Sequence, residues 1–199
     1  MDIAVDRADC SQLPQLRSVL VRSLAADPLM RWFFPEDGEP EEQRLNRIAM
    51  YLGPQIEWLV GAGTAYAAVV EGEVIGAAVW MAPGTALPVT LPALRRLAEV
   101  LMPAGKAEAV HEGMRAARAG APEVKGTYLS LTGVEPAWQG RGVGVRLLEP
   151  MLGPGAGVRW LESTNPRNVR FYERAGFRVV HQAPVGGSGV TMCRMVGEF

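Results

Sequence analysis

The stretch Gln139-Gly140-Arg141-Gly142-Val143-Gly144 decides the reading of this chain. It follows the apolar run Tyr128 to Val134, which reads as a strand, and precedes Val145-Arg146-Leu147-Leu148-Glu149, which reads as a helix start. A strand, a glycine-rich turn and a helix N-terminus together make an anion site. The first helical turn presents unpaired N–H groups, and the helix dipole favours negative charge. Glycines let the backbone approach a phosphate with no Cβ in the way.

The spacing narrows the ligand. A P-loop needs Lys and then Ser or Thr after its last glycine, but Val145-Arg146 follows Gly144. A dinucleotide fingerprint needs G-x-G-x-x-G, and the sixth residue counted from Gly140 is Val145. Glu162 lies near the distance expected for a ribose-binding acid, so that rejection rests on the glycines. A plain glycine-rich turn capping a helix stays open on these six residues alone.

A second segment bears on the choice. It runs from Val158 through Leu161-Glu162-Ser163-Thr164-Asn165-Pro166 to Gly176-Phe177. A short strand ends near Ser163. Asn165 is a favoured N-cap, Pro166 suits the first helical position, and Gly176 suits a left-handed C-terminal cap. Asn165, Asn168 and Tyr172 then fall on one stripe of one helix face. That stripe reads either as a binding face or as a cap, a solvated Asn and a core Tyr.

The two segments together resemble the GNAT superfamily of N-acetyltransferases. Gln139, Gly142 and Gly144 fill its Q-x-x-G-x-G positions. The resemblance spans roughly residues 62 to 197. Within the superfamily VEPAWQGRGVG, LESTNPRNVRFYERAGF, VTMCRM and DPLMRWFFP are most similar to the group around puromycin N-acetyltransferase. The resemblance implies a seven-stranded mixed α/β sheet flanked by helices, acetyl-coenzyme A as donor and a small-molecule amine as acceptor. It implies that the strand Thr127 to Val134 holds the pantetheine arm, with Thr132, Gly133 and Val134 at the acetyl end. It also implies that Gln139, Gly140, Arg141, Gly142, Val143 and Gly144 take the pyrophosphate, and that Asn165, Asn168 and Tyr172 lie beside the coenzyme.

Tyr172 is the candidate general acid, because a phenol is protonated at neutral pH and can donate to a leaving thiolate. Glu162, at a strand end beside the reaction centre, is the candidate base if partial burial raises its pKa. It reads equally as a carboxylate paired with Arg159, Arg167 or Arg170, with an ordered water chain as the alternative base. Glu135 is a weaker candidate. His111 reads as solvated and His181 as structural. Trp32, Phe33 and Phe34 read as core or as aromatic walls of an acceptor pocket that includes Glu162.

Length and composition agree with one domain over residues 1–199. Hydrophobic residues make up 48% and charged residues 21%, and the net charge is −1, so nothing calls for nucleic acid or an anionic membrane as partner. Cys10 and Cys193 form no metal-binding spacing, and no metal is expected. Met1 to Arg7 is too polar for a signal peptide, and no apolar run approaches about 18 residues. A cytoplasmic protein is expected, monomer or homodimer.

Periodicity supplies the remaining elements. Asp2 to Asp6 alternates as a strand, Leu13 to Ala25 reads as a helix, and Asp27-Pro28 opens a short helical segment ended by Pro35. A helix from Glu39 to about Val60 should kink or divide at Gly53-Pro54. Gly63–Val70 and Val74–Met81 read as a hairpin. Residues 83–120 form an insertion before the fourth strand with helical stretches Leu91–Met102 and Lys106–Arg118, a lid over the site or a flap on the sheet. Pro150 should bend the helix after the glycine loop within two to three turns of Gly142. Phe177–Gln182 and Gly189–Val196 read as a last hairpin.

A protein or peptide acetyltransferase and a non-catalytic coenzyme A-binding module are the competing functional readings.

Overall fold

The computed structural model describes residues 2–61, 65–85 and 94–199. In chain order the elements are β1 (Ala4–Arg7), α1 (Leu13–Ala25), α2 (Pro28–Phe33), α3 (Glu41–Gly61), β2 (Ala65–Val70), β3 (Glu73–Met81), α4 (Leu94–Leu101) and α5 (Lys106–Arg118). Then follow β4 (Thr127–Val134), α6 (Val143–Leu148), β5 (Val158–Ser163), α7 (Pro166–Arg174), β6 (Arg178–Pro184) and β7 (Thr191–Glu198). The seven strands form one sheet in the order β1-β2-β3-β4-β5-β7-β6. Every neighbouring pair is antiparallel except β4 with β5. This is the expected mixed sheet.

Both faces of the sheet are covered, which explains why β3 reads as one apolar run rather than an alternation. Ala77 and Val79 point into a core shared with Leu16, Leu20, Ile48 and Ile56 of α1 and α3. Ala78 and Trp80 point the other way, into a core with Leu147, Leu148, Leu161, Tyr172 and Met195. The helices α4 and α5 extend the first core, to which Ala98, Leu101, Ala107 and Val110 belong.

Two expectations change, and a third, the bend near Pro150, is met. The helix α3 runs unbroken through Pro54. A proline in a helix interior costs about 3 kcal/mol. Ile48, Leu52, Ile56, Leu59 and Val60, all buried on one side of α3, outweigh it; each contributes about 1.5–3 kcal/mol on full burial. The last hairpin sits about two residues later than expected, because its turn is closed by the Val185 N–H donating to the Val190 carbonyl at 2.8 Å. The helix after the glycine loop is six residues long and passes into a 3-10 turn, Glu149–Met151, at Pro150. The expected strand start at Gly63 and helix start at Leu91 lie outside the described residues. Among the described residues, no helix is long and apolar enough to cross a membrane.

Candidate active site

The site begins with a fault in the sheet. The parallel ladder between β4 and β5 covers only Thr127–Leu129 against Arg159–Leu161. A register shift in β3 between Val79 and Trp80 places Leu131 and Leu129 opposite them, so Ser130 is an extra residue on β4. Such a bulge bends its strand. Beyond Leu129, β4 stays paired with β3 as far as Val134, while β5 follows β7 to Ser163. The β4 edge that faces β5 is therefore open over residues 130–134. An open edge offers alternating N–H and C=O groups to a ligand that carries amides of its own.

The α1 helix fixes the position of that edge. A Cβ placed on Gly133 would lie 1.9 Å from Ser23 Oγ and 2.9 Å from Ser23 Cβ, so only glycine lets α1 pack this closely on β4. Thr132 is tied to β3, its hydroxyl donating to the Ala77 carbonyl at 3.2 Å.

The glycine loop starts where the open edge ends. Gln139 Nε2 donates to the Val134 carbonyl at 3.0 Å and ties the loop to the strand end. Gly140 and Gly142 have φ of 76° and 81°, a region L side chains rarely adopt. Gly142 is the N-cap of α6, whose first turn has no side-chain cap. Val143 turns into the core. A Cβ on Gly144 would meet Phe171 Cζ at 3.2 Å, so this glycine lets α6 and α7 approach each other. Arg141 lies over the Trp138 ring at 5.1 Å, exposed at the rim of the loop. Space around Gly140 and Gly142 is open, as a phosphate against the backbone requires.

Past the splayed strands lies a cavity of about 510 Å³. The sheet supplies Tyr128 to Thr132 and Leu161 to Thr164; α7 supplies Asn168 and Tyr172. Asp27, Phe33 and Tyr51 come from the N-terminal helices, and Arg95, His111, Met114 and Arg118 from the insertion. The described part of the 83–120 insertion thus helps to wall the site. Asn165 caps α7, accepting from the Arg167 N–H at 3.0 Å, and is not part of the cavity wall.

The aromatic trio separates. Phe33 lines the cavity, but Trp32 and Phe34 do not. Phe34 is fully buried, 5.5 Å from the Tyr51 ring. Trp32 lies under Lys106 at 5.0 Å. The helix α2 has six residues, so only one side, carrying Leu29, Met30 and Phe33, can face the cavity.

Tyr172 is 5% exposed and lines the cavity. Burial, reinforced by Tyr128 and Asp27, pushes its phenol well above the usual tyrosine range, so it holds its proton. Tyr128 stacks on Trp160 at 4.2 Å, and burial raises its phenol in the same way.

Glu162 is corrected. Its side chain is 7% exposed. Oε2 accepts from Arg118 Nε at 2.9 Å and Nη2 at 2.7 Å; Oε1 accepts from Arg194 Nη2 at 2.7 Å. Burial acts to raise its pKa, but hydrogen bonds and charge from Arg118 and Arg194 win and hold the carboxyl below the usual range. A carboxylate held this way is a poor proton acceptor. Its partners are not Arg159, Arg167 or Arg170. Glu135 is likewise engaged, with both oxygens accepting from Arg22 Nε at 2.9 and 3.0 Å. His111 is exposed but lines the cavity, and His181 Nε2 lies 3.1 Å from the Ala117 carbonyl.

Asp27 was not singled out by sequence as a site residue. It caps α2, its Oδ1 accepting from the Leu29 N–H at 2.9 Å and from Thr164 Oγ1 at 3.3 Å. It also lines the cavity near Tyr172. Burial raises its pKa despite those hydrogen bonds. Buried Arg44 holds the segment, Nη2 donating to the Ala25 carbonyl at 2.6 Å and Nε to the Phe34 carbonyl at 2.8 Å. The only sequence signal was the Asp-Pro pair, which is equally explained by capping.

Comparison with known proteins agrees with this geometry. A family model described as "Acetyltransferase (GNAT) domain" matches residues 104–179, which include β4, the glycine loop and α7. That match covers the central part of the chain, and the fold of the described residues is the GNAT fold. A Corynebacterium glutamicum structure, described as histone acetyltransferase HPA2 and related acetyltransferase, has 23% identity and a TM-score of 0.67, with 99% of this chain and 96% of that one covered. Drosophila melanogaster polyamine N-acetyltransferase has 18% identity and a TM-score of 0.66, each chain fully covered. The PaiA N-acetyltransferase of Thermoplasma acidophilum, solved in complex with coenzyme A, has 15% identity and a TM-score of 0.58, again with both chains fully covered.

Proposed function

We propose that this protein moves an acetyl group from acetyl-coenzyme A to the primary amine of a small molecule by direct transfer. One observation carries the reading. The open edge of β4 runs from the glycine loop at Gln139–Gly144 into a cavity lined by a protonated, buried Tyr172. A long ligand with a phosphate group at one end, amides along its arm and a reactive end fits that path.

The residues present suit acetyl-coenzyme A. The N–H groups of the first turn of α6 and the space at Gly140 and Gly142 would take the pyrophosphate, with Arg141 adding charge. The free N–H and C=O groups of residues 130–134 would pair with the pantetheine amides. Acetyl-coenzyme A supplies an activated carbonyl and a thiolate leaving group. An N–H from the β4 edge polarises the carbonyl, and Tyr172 donates its phenolic proton to the departing sulfur. Asp27 takes the proton of the amine, because it is the cavity carboxylate whose basicity burial raises. Glu162 keeps Arg118 and Arg194 in place.

A small acceptor is favoured over a protein lysine or N-terminus because α4 and α5 wall the cavity, where a peptide would need a groove free on that side. The polyamine N-acetyltransferase with the same fold is described as catalysing the formation of N-acetylagmatine, and the segments similar to the puromycin N-acetyltransferase group point the same way. Two free thiols, Cys10 exposed and Cys193 buried, suit a reducing compartment, and the cytoplasm is the proposed setting. Thiol release from acetyl-coenzyme A over a panel of amines and peptides tests this reading. Release with small amines is expected; release with peptides alone, or acetyl-coenzyme A binding without release, overturns it.

A further inference from the structure

The acceptor cavity carries an unbalanced cation. Arg118 and Arg194 share the single carboxylate of Glu162, so the cluster has a net positive charge. Arg194 is spent inside the protein. Its Nη1 donates to the Pro122 carbonyl at 2.8 Å, its guanidinium lies 5.1 Å over Trp160, and the side chain is 12% exposed. Arg118 differs. Its side chain is 47% exposed and lines the cavity. Both its bonds to Glu162 come from Nε and Nη2, and Nη1 has no hydrogen-bond partner among the described residues. The cavity's other arginine, Arg95, is already neutralised by Glu99 and Glu108.

The position of Arg118 is fixed. It is the last residue of α5, and His181 Nε2 contacts the preceding Ala117 carbonyl at 3.1 Å. The cavity is also lined by Asp27, which accepts a hydrogen bond from Thr164. Glu162 and Thr164 are two residues apart where β5 ends. The residues that hold Arg118 and Asp27 therefore belong to one stretch of the cavity wall. Tyr128 lines the same cavity, within the field of Arg118 and in turn acting on Tyr172.

We propose that the acceptor is a short amino acid, its amine directed to Asp27 and Tyr172 and its carboxylate held by the free side of Arg118. The proposal rests on the acetyltransferase reading above and narrows it. In the step itself the amine nitrogen bonds to the acetyl carbon and the carbon–sulfur bond breaks. The amine proton goes to Asp27 and the phenolic proton of Tyr172 to sulfur. The products are an N-acetylated amino acid and the free thiol. The guanidinium fork suits a carboxylate and repels a second ammonium, so diamines are disfavoured.

Three probes of equal length decide it: 5-aminopentanoate, pentylamine and 1,5-diaminopentane. Calorimetry uses each against protein saturated with coenzyme A; thiol release gives kcat/KM for each with acetyl-coenzyme A. The amino acid is expected to exceed both amines by about tenfold or more, the value of a charge-assisted hydrogen bond. Arg118→Gln should erase that preference and leave the acetyl-coenzyme A KM unchanged. Arg118→Lys should keep part of it, and Glu162→Gln should increase it by releasing positive charge. The proposal is overturned if pentylamine or the diamine does as well as the amino acid, if none of the three binds, or if Arg118→Gln keeps the preference. Loss of the acetyltransferase reading looks different: the wild-type protein would fail to bind acetyl-coenzyme A, or would bind it and release no thiol with any small amine of the panel.

Discussion

Replacing Gly133 with alanine tests whether the α1–β4 contact sets the open edge. The new methyl would sit 1.9 Å from Ser23 Oγ, 2.9 Å from Ser23 Cβ and 3.3 Å from Leu20 Cδ2. The hydroxyl can rotate away, giving up its 3.0 Å bond to the Leu20 carbonyl. The Ser23 Cβ cannot, because it is fixed to the helix backbone. Carbon atoms prefer about 3.5–4.0 Å, so α1 must withdraw by roughly 0.5–1 Å. Leu16 and Leu20 have no exposed surface, so withdrawal disturbs a filled core. Overpacking of this kind costs about 1–3 kcal/mol, and at this chain length each kcal/mol lowers Tm by about 2–4 °C. Gly133→Ala should therefore lower Tm by roughly 2–12 °C and raise the acetyl-coenzyme A KM as the edge moves. Ser23→Gly removes the obstructing carbon. In that background the alanine should cost less than about 0.5 kcal/mol, giving a coupling of about 0.5 kcal/mol or more in a four-protein thermal cycle. A Tm for Gly133→Ala equal to wild type, or strict additivity in the cycle, would refute the reasoning.

Other consequences can be measured directly. Tyr172→Phe keeps the packing and removes a phenol that has no hydrogen-bond partner among the described residues, so Tm should hold while turnover drops about 10²-fold or more with unchanged acetyl-coenzyme A affinity; a wild-type rate excludes Tyr172 as the acid. Asp27→Asn keeps the α2 cap and removes a carboxylate whose folded pKa lies above its unfolded value. Ionised Asp27 therefore lowers stability as pH rises through its folded pKa, so the variant should gain Tm over wild type at neutral pH and lose that gain in acid. Its turnover should drop about 10²-fold or more; equal turnover from pH 5 to 9 would show that the amine proton leaves by another route. Gly142→Asp places a side chain at φ 81° and a negative charge at the proposed phosphate site, and calorimetry should show acetyl-coenzyme A affinity reduced about tenfold or more in a folded protein.

The glycine loop and the strand–Asn165–helix segment were legible because their information is local. Positive φ at Gly140 and Gly142, the cap at Asn165 and the turn at Gly176 each follow from residues a few positions apart. The apolar runs placed the strands for the same reason. What escaped was long-range. The two arginines that hold Glu162 lie 44 and 32 residues away in sequence, so a carboxylate expected to be basic is in fact held ionised. The side of α2 that meets the cavity depends on how Arg44 anchors its end, and the sequence does not show that Phe33 faces in while Phe34 is buried elsewhere. Asp27 was hidden by having a sufficient local explanation. Pro54 misled because a backbone rule was applied without the buried side of α3 that overrides it.

The position of β7 between β5 and β6 has a consequence for synthesis. A ribosome releases β6 before β7, yet β7 is the strand β6 pairs with. Until β7 emerges, β5 is held to the sheet by the three-residue ladder to β4. Over the same interval Glu162 lacks Arg194, which β7 brings. The nascent protein therefore holds four paired strands and an unfinished cavity, with a strand waiting for its partner. Chaperone protection during that interval is expected to matter more for residues 158–184 than for the earlier part of the chain. A product arrested before residue 191 should be inert however well its first four strands have folded.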